Sequence, residues 1–403
     1  MKPMLGWTML SRGEIQQVER FLANGEQETR DEIGFLLIHQ GFADRFFPGT
    51  SVLHTRVRYA LFVPWVYQYA AFHSRRGGDI EAKVRRLLID LAIRLKDIGR
   101  ETYDVIGGDK LGQITSQPPD RAYWSALRVW GLLLPGVDSR SEALRRLRLA
   151  ARTAALDDDG GRLDDEATEV FAGLPRPPEG WDNSKSPLNF GMPPHEREYL
   201  RGKLLLITRL GDDAPALLSR LVEDRVTFDD SSIQLPSGLD DCADEADRLA
   251  LQVARDAAAL TAIGRAVYGA LVEHLIARDG GPDGHTFRDR LQNHFEEYGE
   301  AAARCDLDAA ERLLPELPSH VKMVLRETQA YVRSDEPENF AGLHLCYQVS
   351  EVRRKSSRRA RLVDTPRGAQ RRAEWKPDRH NTQPLHYRWR VVRKMLTDLN
   401  GDS

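Results

Sequence analysis

"DEADRLALQVARDAAALTAIGRAVYGALVEHLIA", residues 244–277, is the stretch that sets the fold class. It holds no proline, and its many alanines favour helix over strand. Leu249, Val253, Leu260, Val267, Leu271 and Leu275 recur at helical spacing and predict one apolar face. Asp244 and Glu245 stand at the N-terminal end, where the helix dipole stabilises negative charge. Such a helix would be about 50 Å long at 1.5 Å per residue. Its alanines, with Gly264 and Gly269, leave room for neighbouring helices to approach closely.

Helical signals continue on both sides. Phe287, Leu291, Phe295 and Tyr298 mark the following helix, and Ser319 is placed to cap another. Near the C-terminus Leu385, Trp389, Val392, Leu396 and Leu399 form an apolar stripe, with Arg390, Arg393 and Lys394 away from it. Upstream, Pro193-Pro194 opens a helix carrying Tyr199, Leu200, Leu204 and Leu205. A further helix is expected near 80–98. At the start, Ser11 and Glu14 have capping-box spacing before Ile15, Val18, Phe21 and Leu22.

Two N-terminal segments are less regular. "FPGTSVLHTRVRYALFVPWVY" (47–67) crowds Phe47, Tyr59, Phe62, Trp65 and Tyr67 around His54, Arg56 and Arg58. Pro48-Gly49 signals a turn, and Thr50 or Ser51 is expected to cap a helix that Pro64 kinks or ends. So many large apolar residues predict a buried helix. Arg56 and Arg58 then form either a phosphate-binding or a structural pair. Residues 105–136 run from a Gly107-Gly108 turn through a short helix, opened by Pro118-Pro119 and closed by Gly131, to apolar Leu132–Leu134. That order predicts a small winged-helix-like β element, with Arg121 and Arg128 as its reading residues. The alternative is a core helix burying Tyr123, Trp124, Leu127 and Trp130. The fold class is therefore mainly α and multi-helical. The expected organisation is a helical domain over 1–140, an acidic and proline-rich connector over 141–190, a helical domain over 191–335 and a basic C-terminal region over 336–403.

The net charge of −3 conceals an asymmetry. From Glu351 to Ser403 there are 15 Lys/Arg and 6 Asp/Glu, a balance of +9, so the other 350 residues carry −12. The excess is densest in "RRKSSRRARLVDTPRGAQRR" (353–372), with nine basic residues and one acid, Asp364. Such density calls for solvation, for phosphate, or for an acidic surface such as 157–166 or 240–247. Arg353, Arg354, Lys355, Arg358, Arg359, Arg361, Arg371 and Arg372 are the candidate nucleic-acid-binding residues. Trp375, Tyr387 and Trp389 lie close by in sequence as candidates for stacking.

Catalytic and metal signatures are missing from the sequence. There is no phosphate-binding GxxxxGK[ST] loop, no GxSxG and no HExxH. "HVKMVLRE" (320–327) imitates a phospholipase D-like HxKxxxxD motif, but Glu327 replaces the aspartate and there is no second copy. The acidic run at 157–166 fails the EF-hand spacing, since Ala155 and Leu156 stand where acids are required. The three cysteines are scattered and form no CxxC. No metal, cofactor, disulfide or membrane span is expected, and a cytosolic location is. Histidine 294 sits on an apolar stripe and reads as a satisfied core residue.

Several blocks resemble an uncharacterised bacterial family of about this length: "GW" (6–7), the 47–67 stretch, "YWSALRVWG" (123–131), "EYLRGKLL" (198–205), "RRARL" (358–362) and "YRWRVVRKML" (387–396). The family usually reads "GAALLYNLML" where this chain has "YGALVEHLI" (268–276). The resemblance implies a bacterial protein often encoded among phage-defence genes, beside helicases and phospholipase D-like proteins, with no established activity. The function expected is a non-catalytic defence component that binds DNA or a helicase or nuclease partner. The alternatives are a nuclease-like enzyme whose site assembles only in three dimensions, and a pure protein–protein adaptor.

Overall fold

The computed structural model describes residues 31–74, 79–96, 104–156, 169–228, 234–376 and 382–401. The capping box at Ser11 and Glu14, and the acidic run at 157–166, lie outside the described residues. Among the described residues there are sixteen α-helices and no strand, so the fold is mainly α. The chain divides into two compact units. One comprises residues 38–255, 313–315 and 386–403; the other comprises residues 1–37, 256–312 and 316–385.

The first unit is built on the Tyr59–Phe72 helix, in which every residue from Tyr59 to Tyr67 is buried. The helix does not begin at Thr50 or Ser51 as expected. The Thr50 hydroxyl instead donates to the Phe47 carbonyl at 2.7 Å, and Ser51 Oγ accepts from the Leu53 amide. Both caps are spent on turns. Gly49 allows those turns to form, because it has φ +78° and a Cβ there would lie 2.6 Å from Trp130 Nε1. Pro64 neither ends the helix nor marks its limit. An internal proline costs about 3 kcal/mol. Burying Leu61, Phe62, Val63, Trp65 and Val66 recovers roughly 2 kcal/mol each, so burial wins.

Residues 105–136 do not form a winged helix. They fold as a 3₁₀ turn (Gly108–Lys110), a short helix (Pro119–Ala122) and a second short helix (Trp124–Val129). Leu133 makes an isolated antiparallel bridge with Phe171 rather than a hairpin, with the Leu134 amide on Val170 O and the Ala172 amide on Leu132 O. One residue pair cannot build a wing. Tyr123, Leu127 and Trp130 are fully buried and Trp124 is half-buried, so the core-helix alternative holds for three of its four residues.

The helices Ile80–Lys96, Arg140–Leu156, Pro194–Leu204, Leu217–Glu223 and Trp389–Asn400 complete this unit's core. Pro193 and Pro194 open their helix as anticipated. Trp389 is fully buried between Phe47 and Phe228, and Tyr387 is buried with its hydroxyl on Ala254 O.

The Glu245–Arg278 helix contributes residues 245–255 to the first unit and 256–278 to the second. It is long and apolar enough to cross a membrane, but 83% of its apolar window is buried inside the protein. Leu249 is 58% exposed, off the expected apolar face. Ala250, Leu251 and Ala254 are buried there instead, because a helix so rich in alanine can bury more than one stripe.

In the second unit that helix meets Thr286–Arg304 and His344–Lys355, and Ser319–Ser334 packs against those two helices. Gly264 faces Phe35 and Tyr347, and Gly269 faces Phe287; a Cβ at either position would lie within 2.6 Å of a ring. The two glycines therefore leave room for those rings against the helix. Ser319 is the first helical residue rather than the cap, a place taken by Pro318. His294 is buried with Nε2 on Thr382 O.

His54 generates a pH prediction. It is 4% exposed, stacked 4.1 Å from Tyr123, with Nε2 donating to Ala122 O and a buried Nδ1 without a partner. Burial lowers its pKa from 6.5 to about 4. Between those values the unfolded chain binds the proton and the folded one does not. Stability should thus fall as the pH is lowered through this window, by on the order of 3 kcal/mol. Denaturant melts of wild type and His54→Gln at pH 7 and pH 4.5 check this: the wild type should lose more stability than the variant on acidification.

Candidate nucleic-acid interface

The basic tract begins in the last turn of the His344–Lys355 helix. Ser356, at φ +68°, ends that helix, and residues 356–365 lead into the Pro366–Ala373 helix, capped by Thr365 Oγ1 accepting from the Gly368 amide. The whole tract belongs to the second unit. Its cations separate into two groups.

One group faces inward. Arg372 has a 1% exposed side chain; it pairs with Asp279 at 2.7 Å and donates to the carbonyls of Arg361 and Val363. Arg361 Nη1 pairs with Glu32 at 3.1 Å and lies 3.3 Å from Tyr268 Oη. Lys355 pairs with Glu32 and Glu351. Glu351 is fully buried; it accepts from the amides of Arg361 and Leu362 at 2.9 and 2.8 Å, and from the Tyr268 hydroxyl at 2.6 Å. Burial pushes the Glu351 carboxyl and the Tyr268 phenol up from their ordinary values. Arg354 pairs with Asp31 at the edge of this cluster, while Arg371 pairs with Glu374 on the surface of its own helix. The one acid of the tract, Asp364, pairs with Arg278.

The other group faces outward. Arg353, Arg358, Arg359 and Arg367 are exposed. Arg359 Nε caps the helix end by donating to Lys355 O at 3.0 Å. Arg353, Arg358 and Arg367 take no carboxylate among the described residues. Their field is felt nearby: burial, then Arg354 and Arg353, hold the His320 imidazole below its ordinary pKa despite Asp31.

The acidic run at 240–247 has its own partners. Asp240 pairs with Arg255; Asp244 with Arg209 and Arg220; and buried Asp247 with Arg45 and Arg209. Tyr387 and Trp389 have no exposed ring face to offer a base, because the apolar stripe that carries them faces the core. Trp375 packs 5.3 Å from Phe287.

The remaining candidates lie in the first unit. Arg121 and Arg128 are exposed on their two short helices. Arg58 is 4% exposed and grips Glu196 through Nε and Nη2, both at 2.7 Å, while Nη1 donates to Asn189 O at 2.8 Å. Arg56 holds Asp398 through Nε and Nη2, and Asp104 through Nη1 at 3.2 Å. Asp398 also accepts from the Val57 amide at 3.0 Å, and Lys394 pairs with Asp104. Both arginines thus have carboxylate partners inside the unit. Sequence reasoning missed Glu32, Tyr268, Asp279, Glu196 and Asp398 as partners, since no local spacing marks a carboxylate that pairs across more than 80 positions. No group of three His, Cys, Asp or Glu that could hold a metal ion occurs among the described residues.

The two groups of cations should respond differently to truncation. Arg372→Ala leaves a carboxylate and two carbonyls without their donor, and should cost about 3 kcal/mol. Arg367→Ala should stay within about 0.5 kcal/mol of wild type. Chemical denaturation of the two variants checks this.

Residues 5–159 match a family of unknown function (DUF6361). That segment contains the blocks at 6–7, 47–67 and 123–131 and stops short of those at 198–205, 358–362 and 387–396. No curated protein and no solved structure matches the chain.

Proposed function

We propose that this protein is a non-catalytic nucleic-acid-binding component that grips the phosphate backbone through Arg353, Arg358, Arg359 and Arg367. One observation carries the reading: among the described residues these cations are exposed without carboxylate partners, while Lys355, Arg361 and Arg372 are neutralised by acids inside the unit. Arginine offers phosphate a planar, multi-donor fork, and four of them concentrate positive potential. With Tyr387 and Trp389 enclosed, contact is to the backbone rather than by stacking of those rings on bases, so sequence preference is weak. The resemblance to a family found among phage-defence genes supports a setting in anti-phage defence, with a helicase or phospholipase D-like nuclease as protein partner.

Titration of fluorescent duplex DNA at several salt concentrations tests the reading. Four phosphate contacts predict a log–log slope of roughly −3 to −4, at about −0.9 per phosphate neutralised. Replacing all four arginines with alanine should weaken every sequence alike and bring the slope close to zero, with the melting temperature unchanged. An unchanged slope, or no affinity for DNA at low salt, would show that these arginines serve an acidic protein partner instead.

A further inference from the structure

The first unit contains an open cleft of about 740 Å³ that uses none of the cations of the basic tract. Its walls come from the end of the Tyr59–Phe72 helix, the Arg140–Leu156 helix and the 177–182 loop. Trp65, Tyr69, Phe72 and Trp181 line it, with Gln68, His73 and Asp182 as polar groups. Phe72 is 57% exposed, at the end of a helix whose first nine residues are buried.

The loop wall is firmly built. Arg94, only 9% exposed, directs its guanidinium at three loop carbonyls: Nε donates to Ser186 O at 2.8 Å, Nη1 to Trp181 O at 3.0 Å and Nη2 to Gly180 O at 3.0 Å. Its Cζ stands 5.6 Å from the Trp181 ring centroid. Trp181 also stacks with Phe62, 7° from parallel, and meets the Trp65 ring edge-on at 5.5 Å. Trp65 Nε1 donates to Pro175 O at 2.9 Å and fixes the start of the same loop. A buried arginine committed to three carbonyls is an expensive way to hold a surface loop, and the result is an indole fixed at the wall of a cleft.

The composition of the lining selects the ligand. Aromatic walls favour a flat ring, by stacking. Among the described residues no lysine or arginine lines the cleft, and its titratable groups apart from Tyr69 are Asp182 and His73, so the described lining favours an uncharged or cationic ligand over a phosphorylated one. The Asp182 carboxylate accepts hydrogen bonds, and the Gln68 amide both donates and accepts. The volume lies in the range of small-molecule sites. From this geometry we infer that the cleft binds an uncharged or cationic planar nitrogen heterocycle of nucleobase or nucleoside size, its ring against Trp181 and Phe72 and an amino edge toward Asp182.

Tryptophan emission and isothermal calorimetry on the full chain, with adenosine, guanosine, cytidine, uridine and adenosine 5′-monophosphate, test this. At least one nucleoside should bind saturably with Kd below about 1 mM. If adenosine is among them, its monophosphate should bind about tenfold more weakly. Asp182→Asn and Phe72→Ala, both at exposed positions, should each weaken the bound nucleoside about fivefold or more with unchanged melting temperature. Failure of all four nucleosides to bind saturably at 5-fold above about 1 mM overturns the inference. Equal affinity for adenosine and its monophosphate, or wild-type affinity in both variants, overturns it too. DNA binding through the basic tract is scored separately by its salt slope, so either reading can fail alone.

Discussion

The first unit depends on two arginines one residue apart, Arg56 and Arg58. Arg58 is buried and Arg56 partly so, and each is matched to a carboxylate far away in the chain: Asp398 for Arg56, Glu196 for Arg58. An arginine left unpaired at such a depth would cost several kcal/mol, more than most single contacts return. The unit is therefore stable only when the segments carrying Glu196 and Asp398 have docked on the 56–58 turn. The Val57 amide, bonded to Asp398, ties the backbone into the same arrangement. This constraint brings the Pro194–Leu204 and Trp389–Asn400 helices to the start of the Tyr59–Phe72 helix, and the aromatic core closes around them.

The second unit uses the same device. Glu351 and Glu32 are buried carboxylates, and the structure surrounds them with Lys355, Arg361, the Tyr268 hydroxyl and two backbone amides. Well-satisfied buried charges add little net stability compared with apolar packing, but they tolerate few alternative arrangements. The consequence for function is a division of labour within one basic stretch. Cations next to a buried acid become internal braces, and those at the helix end and on the following turns remain in solvent. The proposed phosphate grip is what is left after the fold has taken its share.

The aromatic cleft follows a related logic. Trp65 serves the core with its ring and the 175–182 loop with its indole nitrogen, while Trp181 is held by Arg94 from the other side. Rigid aromatic walls lose little conformational entropy when a flat ligand enters, which is the property a binding cleft requires.

Local pattern alone determined the mainly α class, the long alanine-rich helix, the close approaches at Gly264 and Gly269, the Pro193-Pro194 helix start and the apolar C-terminal stripe. Each depends on helical periodicity or on a residue's own backbone preference, and both are written in neighbouring residues. Tertiary structure decided the rest. Pro64 stays inside a helix because burial on every side outweighs one lost hydrogen bond. Leu132–Leu134 forms a single bridge because its partner comes from Phe171 and not from an adjacent strand. Nothing in "RRKSSRRARLVDTPRGAQRR" distinguishes Arg372 from Arg367, since both are arginines in a basic run. Only the placement of Asp279 beside one of them turns the first into a buried brace and leaves the second exposed. Charge pairing is set by distance in space, and distance in space is a property of the folded chain.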